Sequence, residues 1–227
     1  QQRWALAEPE AVLRRDDCLV PRLARANQAA HADIAPATLA HMVTGGTGGL
    51  GLLTARWLAQ CGDTRALALA SRGDMLPRNP AAEWAGLHAT NVVTRVRRCD
   101  AAEGAHVGRL VAHVTMRAAS AIGVWHAAGV LVDRVLPGQT ADALTAVYAP
   151  KAHGAWAVHH ALATAVERTH ALFSSVAALL GGAGQANYSA ANANLDALAA
   201  CRRTRTRAAT SVQWGAWAEM GMAARGA

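Results

Sequence analysis

A serine, a tyrosine and a lysine in the second half of the sequence could together protonate a carbonyl oxygen. Ser175 ends an apolar run, Tyr188 follows it by thirteen residues, and Lys151 is the only lysine in the chain. Reducing a ketone by hydride requires a proton donor as negative charge develops on the oxygen. A phenol with a pKa of about 10 keeps its proton at neutral pH, and a nearby cation makes it a stronger acid. We expect Ser175 to hold the oxygen, Tyr188 to donate the proton, and Lys151 to lower the phenol's pKa and orient a cofactor ribose.

The single lysine is informative because the other 21 basic residues are arginines. Lysine and arginine are not interchangeable at a binding site, and a cation is disfavoured at the N-terminus of a helix, where Lys151 is predicted to lie. The alternative is a solvated surface lysine. Asn192, four residues after Tyr188, faces the same side of a predicted helix. It could hold a water molecule or a carbonyl group, the alternative being a packing role.

A glycine-rich segment lies between a predicted strand, Leu39–Val43, and a predicted helix, Leu52–Gln60. In this setting glycines allow a tight turn and a close approach to a pyrophosphate, which the N–H groups of the helix N-terminus can bind. Without that setting the segment would be an ordinary loop. The candidate cofactor-binding residues are Thr44, Gly45, Thr47, Gly48, Gly49, Leu50 and Gly51.

Later strand ends carry further candidates for dinucleotide binding. Ser71-Arg72 follows the second predicted strand, where an arginine suits the 2′-phosphate of NADP(H) and an acid would suit NAD(H). The alternative for Arg72 is a surface arginine. Asp100 ends the third strand and could equally cap the next helix or accept from an adenine amino group. Small residues after the fourth strand, Ala127-Ala128-Gly129, leave room for a cofactor, whereas the preceding His126 is expected to be a structural group without a catalytic role.

The order of these elements predicts an α/β fold with a Rossmann-like, doubly wound parallel sheet. Four strand–helix units in succession imply right-handed crossovers, and ligands bind such sheets at the carboxyl ends of the strands. We also expect helices over 81–88, from 101, over 140–148 and over 152–168, followed by strands over 171–173 and 210–214. A hairpin around Arg15-Asp16-Asp17 and a connector form an N-terminal extension, residues 1–38, ahead of a catalytic domain, residues 39–227.

Composition narrows the possible functions. No apolar run approaches the ~18 residues of a membrane helix, and no signal peptide is visible at Gln1. The four cysteines have no metal-binding spacing, so we expect no metal and a cytoplasmic location. The net charge of +7 suits an anionic ligand or an acidic partner. The only arginine cluster, over 202–207, lacks the aromatic residues of a nucleic-acid platform, so neither a nucleic acid nor a membrane is an expected partner.

Taken together, these motifs resemble the ketoreductase domain of modular polyketide synthases, a branch of the short-chain dehydrogenase/reductase superfamily. Thr44–Gly51 is similar to the superfamily's TGxxxGxG pattern, and Ser175 with Tyr188 to its catalytic pair. In most of the superfamily the lysine stands four residues after the tyrosine, but here Asn192 occupies that position and Lys151 lies upstream. That exchange looks like the polyketide branch. The resemblance extends to Trp214-Gly215-Ala216-Trp217, which adds Gly215 to the candidate cofactor-binding residues.

The resemblance implies NADPH-dependent reduction of a β-ketoacyl thioester, carried by an acyl carrier protein, to the β-hydroxyacyl thioester. The family's B type, which makes the 3R alcohol, has a Leu-Asp-Asp motif, and here Leu131-Val132-Asp133 keeps the second acid. The A type has a tryptophan eight residues before the tyrosine, where this sequence has Leu180. The resemblance therefore favours the B type, with Asp133, Leu180 and Gln185 as stereocontrol candidates.

The sequence also departs from the family pattern. Residues 1–38 would represent only the end of an N-terminal structural subdomain, and the family's C-terminal lid and last strand are expected to be missing after Met222. We therefore expect a piece of a larger synthase with neighbouring domains. Two alternatives remain open, a catalytically silent scaffold module and a free-standing short-chain dehydrogenase.

Overall fold

The structure is a computed structural model. It describes residues 12–14, 17–19, 39–61, 64–73, 81–116, 118 and 121–216. The chain divides into two compact units, Gln1–Ala35 and Pro36–Ala227. In the first unit, strands β1 (Val12–Arg14) and β2 (Asp17–Leu19) pair antiparallel. The predicted hairpin is confirmed, whereas the predicted connector and Trp217 lie outside the described residues, as does the segment after which the lid was expected to be missing.

The described part of the second unit alternates strands with helices. The strands are β3 (Leu39–Thr44), β4 (Thr64–Ser71), β5 (Val93–Arg98), β6 (Ala121–His126), β7 (Glu167–Ser175) and β8 (Thr210–Trp214). The helices are α1 (Gly49–Gln60), α2 (Ala81–His88), α3 (Gly104–Thr115), α4 (Ala141–Tyr148), α5 (Gly154–Ala161), α6 (Ala177–Leu180) and α7 (Ala186–Thr204). A 3₁₀ turn (Leu136–Gly138) precedes α4, and a π-helical turn (Ala149–His153) joins α4 to α5.

The six strands form one parallel sheet in the order β5-β4-β3-β6-β7-β8. The chain moves outward from β3 to one edge and then returns to build the other half, which is the doubly wound arrangement predicted from the sequence. The carboxyl ends of β3 and β6 are neighbours, because Thr44 pairs with His126. The fold prediction is therefore confirmed, and the crevice expected of such a sheet lies between these two strand ends.

Helices cover both faces of the sheet. Adjacent residues of β3 belong to different apolar clusters: Met42 packs with α3 residues and with Val158 of α5, whereas Val43 packs with α1. Successive strand residues point to opposite faces, so both faces of β3 are buried. A third cluster packs Leu195 and Leu198 of α7 against Leu172 of β7. Helix α7, which begins at the candidate site, is thereby fixed to the sheet.

Several predicted boundaries are wrong. The helix predicted from residue 101 begins at Gly104, because Ala101 and Ala102 form a turn beneath Asp100. The helix predicted over 152–168 ends at Ala161, and β7 begins at Glu167 instead of near Ala171. The strand pairs with β6 from Glu167, opposite Ile122, and the Glu167 carboxylate is bound by Arg202 and Arg207. These contacts are distant in sequence, so local periodicity does not reveal them.

Candidate functional site

The glycine turn after β3 is a tight structure that only small residues permit. Gly45 has a φ of 66°, and a Cβ there would lie 2.8 Å from the Ala127 carbonyl oxygen. The Gly48 N–H donates to the Gly45 carbonyl at 2.9 Å, and a Cβ on Gly51 would overlap that same carbonyl. The turn and the first turn of α1 are therefore packed backbone against backbone.

The first N–H groups of helix α1 have no acceptor within the helix. Its N-cap is Gly48, which makes no side-chain capping bond, and the first turn of this fully described helix has no acidic residue. The first N–H groups of a helix lack intrahelical acceptors and carry partial positive charge. This end of α1 is therefore suited to a phosphate oxygen.

A cleft of about 370 Å³ opens in front of this turn. It contains most of the predicted cofactor-binding residues, namely Gly45, Thr47, Gly48, Gly49, Leu50, Gly51, Ser71, Arg72, Asp100, Ala127, Ala128 and Gly129. Four predicted residues do not line it, namely Thr44, Lys151, Tyr188 and Gly215. Thr44 is buried beneath the turn, and Gly215 is exposed after β8. The other lining residues, which were not predicted to bind the cofactor, are Gly73, Cys99, Ala101, Val130 and Pro150.

Ser71, Arg72 and Asp100, the residues predicted to meet the adenosine part of a dinucleotide, all line this cleft. The Ser71 hydroxyl donates to the Gly73 carbonyl at 2.9 Å, and Arg72 is exposed beside it. Asp100 accepts from the Ala102 N–H at 3.0 Å, so it caps a turn. The N-cap of α3 is Glu103, which corrects the possibility that Asp100 caps that helix.

The predicted catalytic residues meet where β7 ends and α7 begins. The Ser175 hydroxyl accepts from the Ala177 N–H at 3.1 Å, which fixes its position in the turn after β7. One helical turn of α7 separates Tyr188 from Asn192, whose Nδ2 donates to the Tyr188 carbonyl at 2.8 Å. The Asn192 carbonyl in turn accepts from Ser174 at 3.3 Å. Ser175, Tyr188 and Asn192 therefore lie together at the junction of β7 and α7, and both Ser175 and Asn192 interact with the Tyr188 side chain.

Lys151 reaches this group from the π-helical turn. Its side chain is buried, and Nζ donates to the Phe173 carbonyl at 2.8 Å while lying 5.3 Å from the centroid of the Tyr188 ring. Burial lowers the pKa of Lys151 to about 8, opposed by the negative charge of Asp196. A π-helical turn inside a helical segment frequently marks a functional position. The structure thus confirms that Lys151 is not a solvated surface lysine.

Burial has the opposite effect on the phenol. Desolvation raises the pKa of Tyr188, hydrogen bonds from Asn192 and Ser175 lower it, and Asp133 raises it further, so that the pKa lies above its usual value. The expected lowering by Lys151 is therefore wrong for this structure, because burial prevails and the hydrogen bonds that oppose it come from Asn192 and Ser175. Tyr188 keeps its proton at neutral pH and remains a donor.

Asn192 has a free acceptor at the site. Its Oδ1 is fully buried and has no hydrogen-bond partner among the described residues. A buried polar atom without a partner is costly, and such atoms cluster at places where a ligand or a water binds. This oxygen could accept a hydrogen bond from a ligand or a water.

Two loops that border the site are linked by hydrogen bonds. Gln185 Nε2 donates to Asp133 at 3.2 Å, and the Arg134 N–H donates to the Gly184 carbonyl at 2.8 Å. Asn187 Nδ2 donates to the Val132 carbonyl at 2.9 Å. Two of the predicted stereocontrol residues, Asp133 and Gln185, are therefore in contact. The third, Leu180, is 72% exposed.

Two contributors, Asn187 and Asp196, were missed by reasoning from sequence, whereas the expectation for His126 agrees with the structure. Asn187 joins α7 to the 130–134 loop, and its position at the start of a helix was the signal that could have revealed it. Asp196 acts on Lys151 through its charge and is held by Ser211 and by Gln213 at 2.8 Å. His126 is fully buried, as expected of a structural group, and both ring nitrogens have partners.

Two general properties complete the description of the site. Within the described ranges, no helix has both the length and the apolar character that crossing a bilayer requires. The same residues contain no cluster of three histidine, cysteine or acidic side chains able to hold a metal ion.

Comparisons with known proteins agree on one family. The family model described as KR domain matches residues 40–219. Polyketide synthase GfsE from Streptomyces halstedii is 39% identical over 224 residues, and spectinabilin polyketide synthase system protein NorB from Streptomyces orinoci is 44% identical over 188 residues. These alignments cover 95% and 79% of this chain but only 6% and 8% of the relatives. The chain therefore spans under a tenth of these curated relatives.

Solved structures are similar over the same region. An A-type ketoreductase from a modular polyketide synthase is 37% identical with a TM-score of 0.84, covering 94% of this chain and 45% of its own. A C2-type ketoreductase from a modular polyketide synthase is 30% identical with a TM-score of 0.79, covering 95% of this chain and 47% of its own. The match thus reaches about half the length of these two solved chains.

Proposed function

The chain belongs to the ketoreductase (KR) domain family of modular polyketide synthases, and on this premise we propose that it reduces a β-ketoacyl thioester to a β-hydroxyacyl thioester with NADPH. The observation that carries the proposal is the meeting of Ser175, Tyr188 and Lys151 at the end of β7. The cleft at the glycine turn supplies a place for a dinucleotide.

The residues present fit a nicotinamide dinucleotide. The backbone cradle of Gly45 and Gly51, which an added Cβ would fill, and the uncapped N-terminus of α1 suit its pyrophosphate. Exposed Arg72 supports NADPH over NADH, because a guanidinium binds a 2′-phosphate by charge-assisted hydrogen bonds. When bound, the cofactor supplies hydride; all proton handling falls to the chain's own side chains.

Each polar side chain has a distinct task in this proposal. The Ser175 hydroxyl binds the carbonyl oxygen and Tyr188 Oη donates the proton, which its raised pKa retains until charge develops on that oxygen. Lys151 places positive charge against the tyrosine ring and can orient a ribose hydroxyl. Asn192 Oδ1 accepts from a ligand or a water, which gives this buried oxygen the partner it otherwise lacks.

We assign the substrate to an acyl carrier protein, with the neighbouring domains of a larger synthase as further partners. The names of the matched relatives support this, since both are large polyketide synthases of which the chain covers a small part. The net charge of +7 suits an acidic carrier or the phosphates of a cofactor. We place the reaction in the cytoplasm.

For stereochemistry we propose the B type, with a 3R alcohol as product. Asp133 supports this, because its negative charge acts on Tyr188 and its carboxylate is held by Gln185. Leu180, exposed where the A type has a tryptophan, supports the same choice. Chiral analysis of the alcohol from a defined β-ketoacyl thioester decides the question, and a 3S product contradicts the assignment.

The activity itself is tested with NADPH and a β-keto thioester on a carrier protein. We expect thermal stabilisation by NADPH, enhanced NADPH fluorescence, and NADPH oxidation that depends on the thioester. If neither binding signal is seen and the longer synthase also fails to reduce the thioester, a silent scaffold module explains the chain better. Faster turnover of small free ketones than of carrier-bound thioesters would favour a free-standing dehydrogenase.

A further inference from the structure

The fully buried imidazole of His126 connects the glycine turn to the backbone of Lys151. Its Nδ1 lies 2.8 Å from the Thr44 hydroxyl, at the residue that opens the turn. Its Nε2 lies 2.8 Å from the Lys151 carbonyl oxygen, inside the π-helical turn. A carbonyl only accepts hydrogen bonds, so Nε2 carries the proton and Nδ1 accepts from Thr44. One neutral tautomer therefore satisfies both partners.

The surrounding backbone leaves this ring little freedom. The N–H of Ala127, the residue after His126, donates to the Thr44 carbonyl at 3.1 Å. Thr44 is therefore bound through both its hydroxyl and its carbonyl group. A Cβ on Gly154 would lie 2.8 Å from the Ala101 carbonyl and 3.2 Å from His126 Cε1. Gly154, directly after the π-helical turn that carries Lys151, thus lies closer to Ala101 of the cleft wall than a larger residue could.

A π-helical turn needs an explanation for its position, because its hydrogen bonds are displaced from the ordinary helical pattern. The Lys151 carbonyl, in the middle of Ala149–His153, accepts from the Gly154 N–H, and its second lone pair is left for a donor from outside the helix. His126 is that donor. The bond fixes the Lys151 main chain while the Phe173 carbonyl fixes its ammonium at the other end.

We propose that His126 is a positioning residue, which sets Lys151, and with it the ammonium over the Tyr188 ring, relative to the glycine turn. It acts through Thr44 and Lys151 and need not touch the substrate. Its effect on turnover rests on the proposed function, whereas its effect on Lys151 does not. This separation makes the two ideas testable apart.

The sequence allows a direct measurement, because Lys151 is the only lysine. With isotope-labelled lysine, a protein without a lysine-containing tag gives one side-chain NMR signal, whose titration reports the Lys151 pKa. The charged or titratable groups around Lys151 are Tyr188, Asp196 and His126. A neutral side chain in place of neutral His126 removes the bond to the Lys151 carbonyl, so the electric charge around Lys151 stays the same.

The decisive variants are His126→Asn and His126→Gln. Asparagine can place an acceptor near the former Nδ1 but is too short for the Lys151 carbonyl, whereas glutamine can still donate to that carbonyl. We expect His126→Asn to raise the Lys151 pKa by about one unit or more towards its ordinary value, because a released lysine regains water. His126→Gln should leave it nearer to about 8, the wild-type value.

A matched control is His159→Asn, which removes another buried histidine whose Nδ1 is bound to Arg202. It should leave the Lys151 signal unchanged even if it lowers stability. In turnover assays His126→Asn should reduce kcat and move the basic limb of its pH profile upwards with the lysine pKa. A smaller fraction of folded protein would lower kcat equally at every pH and would not shift the basic limb of the pH profile.

A further measurement needs no variant to fold. Nitrogen NMR of isotope-labelled histidine in the wild-type chain identifies the tautomer of each ring, and the proposal requires the Nε2–H form at His126. An Nδ1–H form, or equal lysine pKa values in wild type and His126→Asn, overturns it. An inactive wild-type chain with the expected lysine shift would contradict the proposed function and leave the positioning role supported.

Discussion

Among single residues, burial sets the protonation of the site. Lys151 loses hydration and its pKa decreases to about 8, while desolvation raises the pKa of Tyr188. Both shifts disfavour the charged form of the group. At neutral pH the lysine is still mostly charged and the phenol is neutral, which is the pairing that proton donation needs.

Replacing Tyr188 by phenylalanine tests the proton donor. Tyr188→Phe keeps the ring beneath Lys151 and removes only the hydroxyl, so we expect turnover to decrease by roughly 10²–10⁴-fold with little change in NADPH affinity. Fluorescence titration and turnover measure the two effects separately. Joint loss of binding and turnover would instead indicate a folding role, as would a loss of helical circular dichroism.

Arg72 tests the choice of cofactor. Its guanidinium is exposed at the cleft, where it can meet a 2′-phosphate that only NADPH carries. We expect Arg72→Ala to weaken the binding of NADPH by about tenfold or more and to leave the binding of NADH almost unchanged. Exposed Arg203 offers a control, since Arg203→Ala lies outside the cleft and should affect neither. Equal weakening of both cofactors contradicts the assignment.

Lys151 also predicts a conflict between stability and function. Its folded pKa of about 8 lies below the ordinary 10.5, so the unfolded chain binds the proton more tightly and wild-type stability rises as the pH increases from 8 to 10.5. Lys151→Met should therefore raise the free energy of unfolding at neutral pH by about 2 kcal/mol while reducing turnover.

Urea denaturation of both proteins between about pH 7 and about pH 9.5 checks this sign. The wild type should gain stability over that range relative to the variant, so that the two curves approach each other. A variant less stable than wild type at neutral pH would mean that the ammonium's bond to the Phe173 carbonyl outweighs its desolvation.

For the secondary-structure elements, the glycine turn between β3 and α1 is held by backbone contacts. Gly45→Ala places a methyl group 2.8 Å from the Ala127 carbonyl at a positive φ, so the turn must move and cofactor binding should decrease sharply. Gly104→Ala is the matched control, because a Cβ there meets nothing within 4 Å in the first turn of α3. Thermal unfolding of each variant, with and without NADPH, measures its stability and its cofactor binding.

We expect Gly45→Ala to abolish the NADPH-induced shift and Gly104→Ala to keep it, with stability unchanged or increased by about 0.5–1 kcal/mol. A normal NADPH-induced shift in Gly45→Ala would show that the turn adapts and does not need its glycine. Loss of the shift in Gly104→Ala would show that the assay reports general instability.

On the scale of the whole molecule, buried neutral histidines predict sensitivity to acid. Burial lowers the pKa of His126 to about 3 and that of His159 to about 4. Below about pH 6.5 these histidines bind protons in the unfolded chain but stay neutral in the folded chain. The stability of the folded chain is therefore full above the unfolded pKa and decreases as the pH falls towards the folded pKa. Glu167, whose pKa is also lowered, acts in the same direction.

We expect His126 alone to reduce the free energy of unfolding by ~2 kcal/mol between pH 7 and pH 5. Urea denaturation at the two pH values measures the loss, and His126→Asn should show a smaller one. A stability that is flat across this range would contradict the neutral, buried state of the ring and with it the tautomer argument for Lys151.

The sequence by itself determined the sheet, the glycine turn and the identity of the polar residues at the site. Apolar periodicity and glycine placement are local signals, and the unusual single lysine is a fact of composition. Residues 188 and 192 were predicted to share a helix face because helical geometry fixes that spacing, and α7 confirms it.

Only the tertiary structure decided what surrounds those residues. The Glu167 carboxylate at the start of β7 is bound by Arg202 and Arg207, and the phenol's pKa depends on its burial. Lys151 is bound through its ammonium to the Phe173 carbonyl of β7 and through its own carbonyl to His126. Each of these joins segments far apart in the chain. Local patterns record which side chains are present, but desolvation and long-range hydrogen bonds exist only once the sheet has brought the segments together.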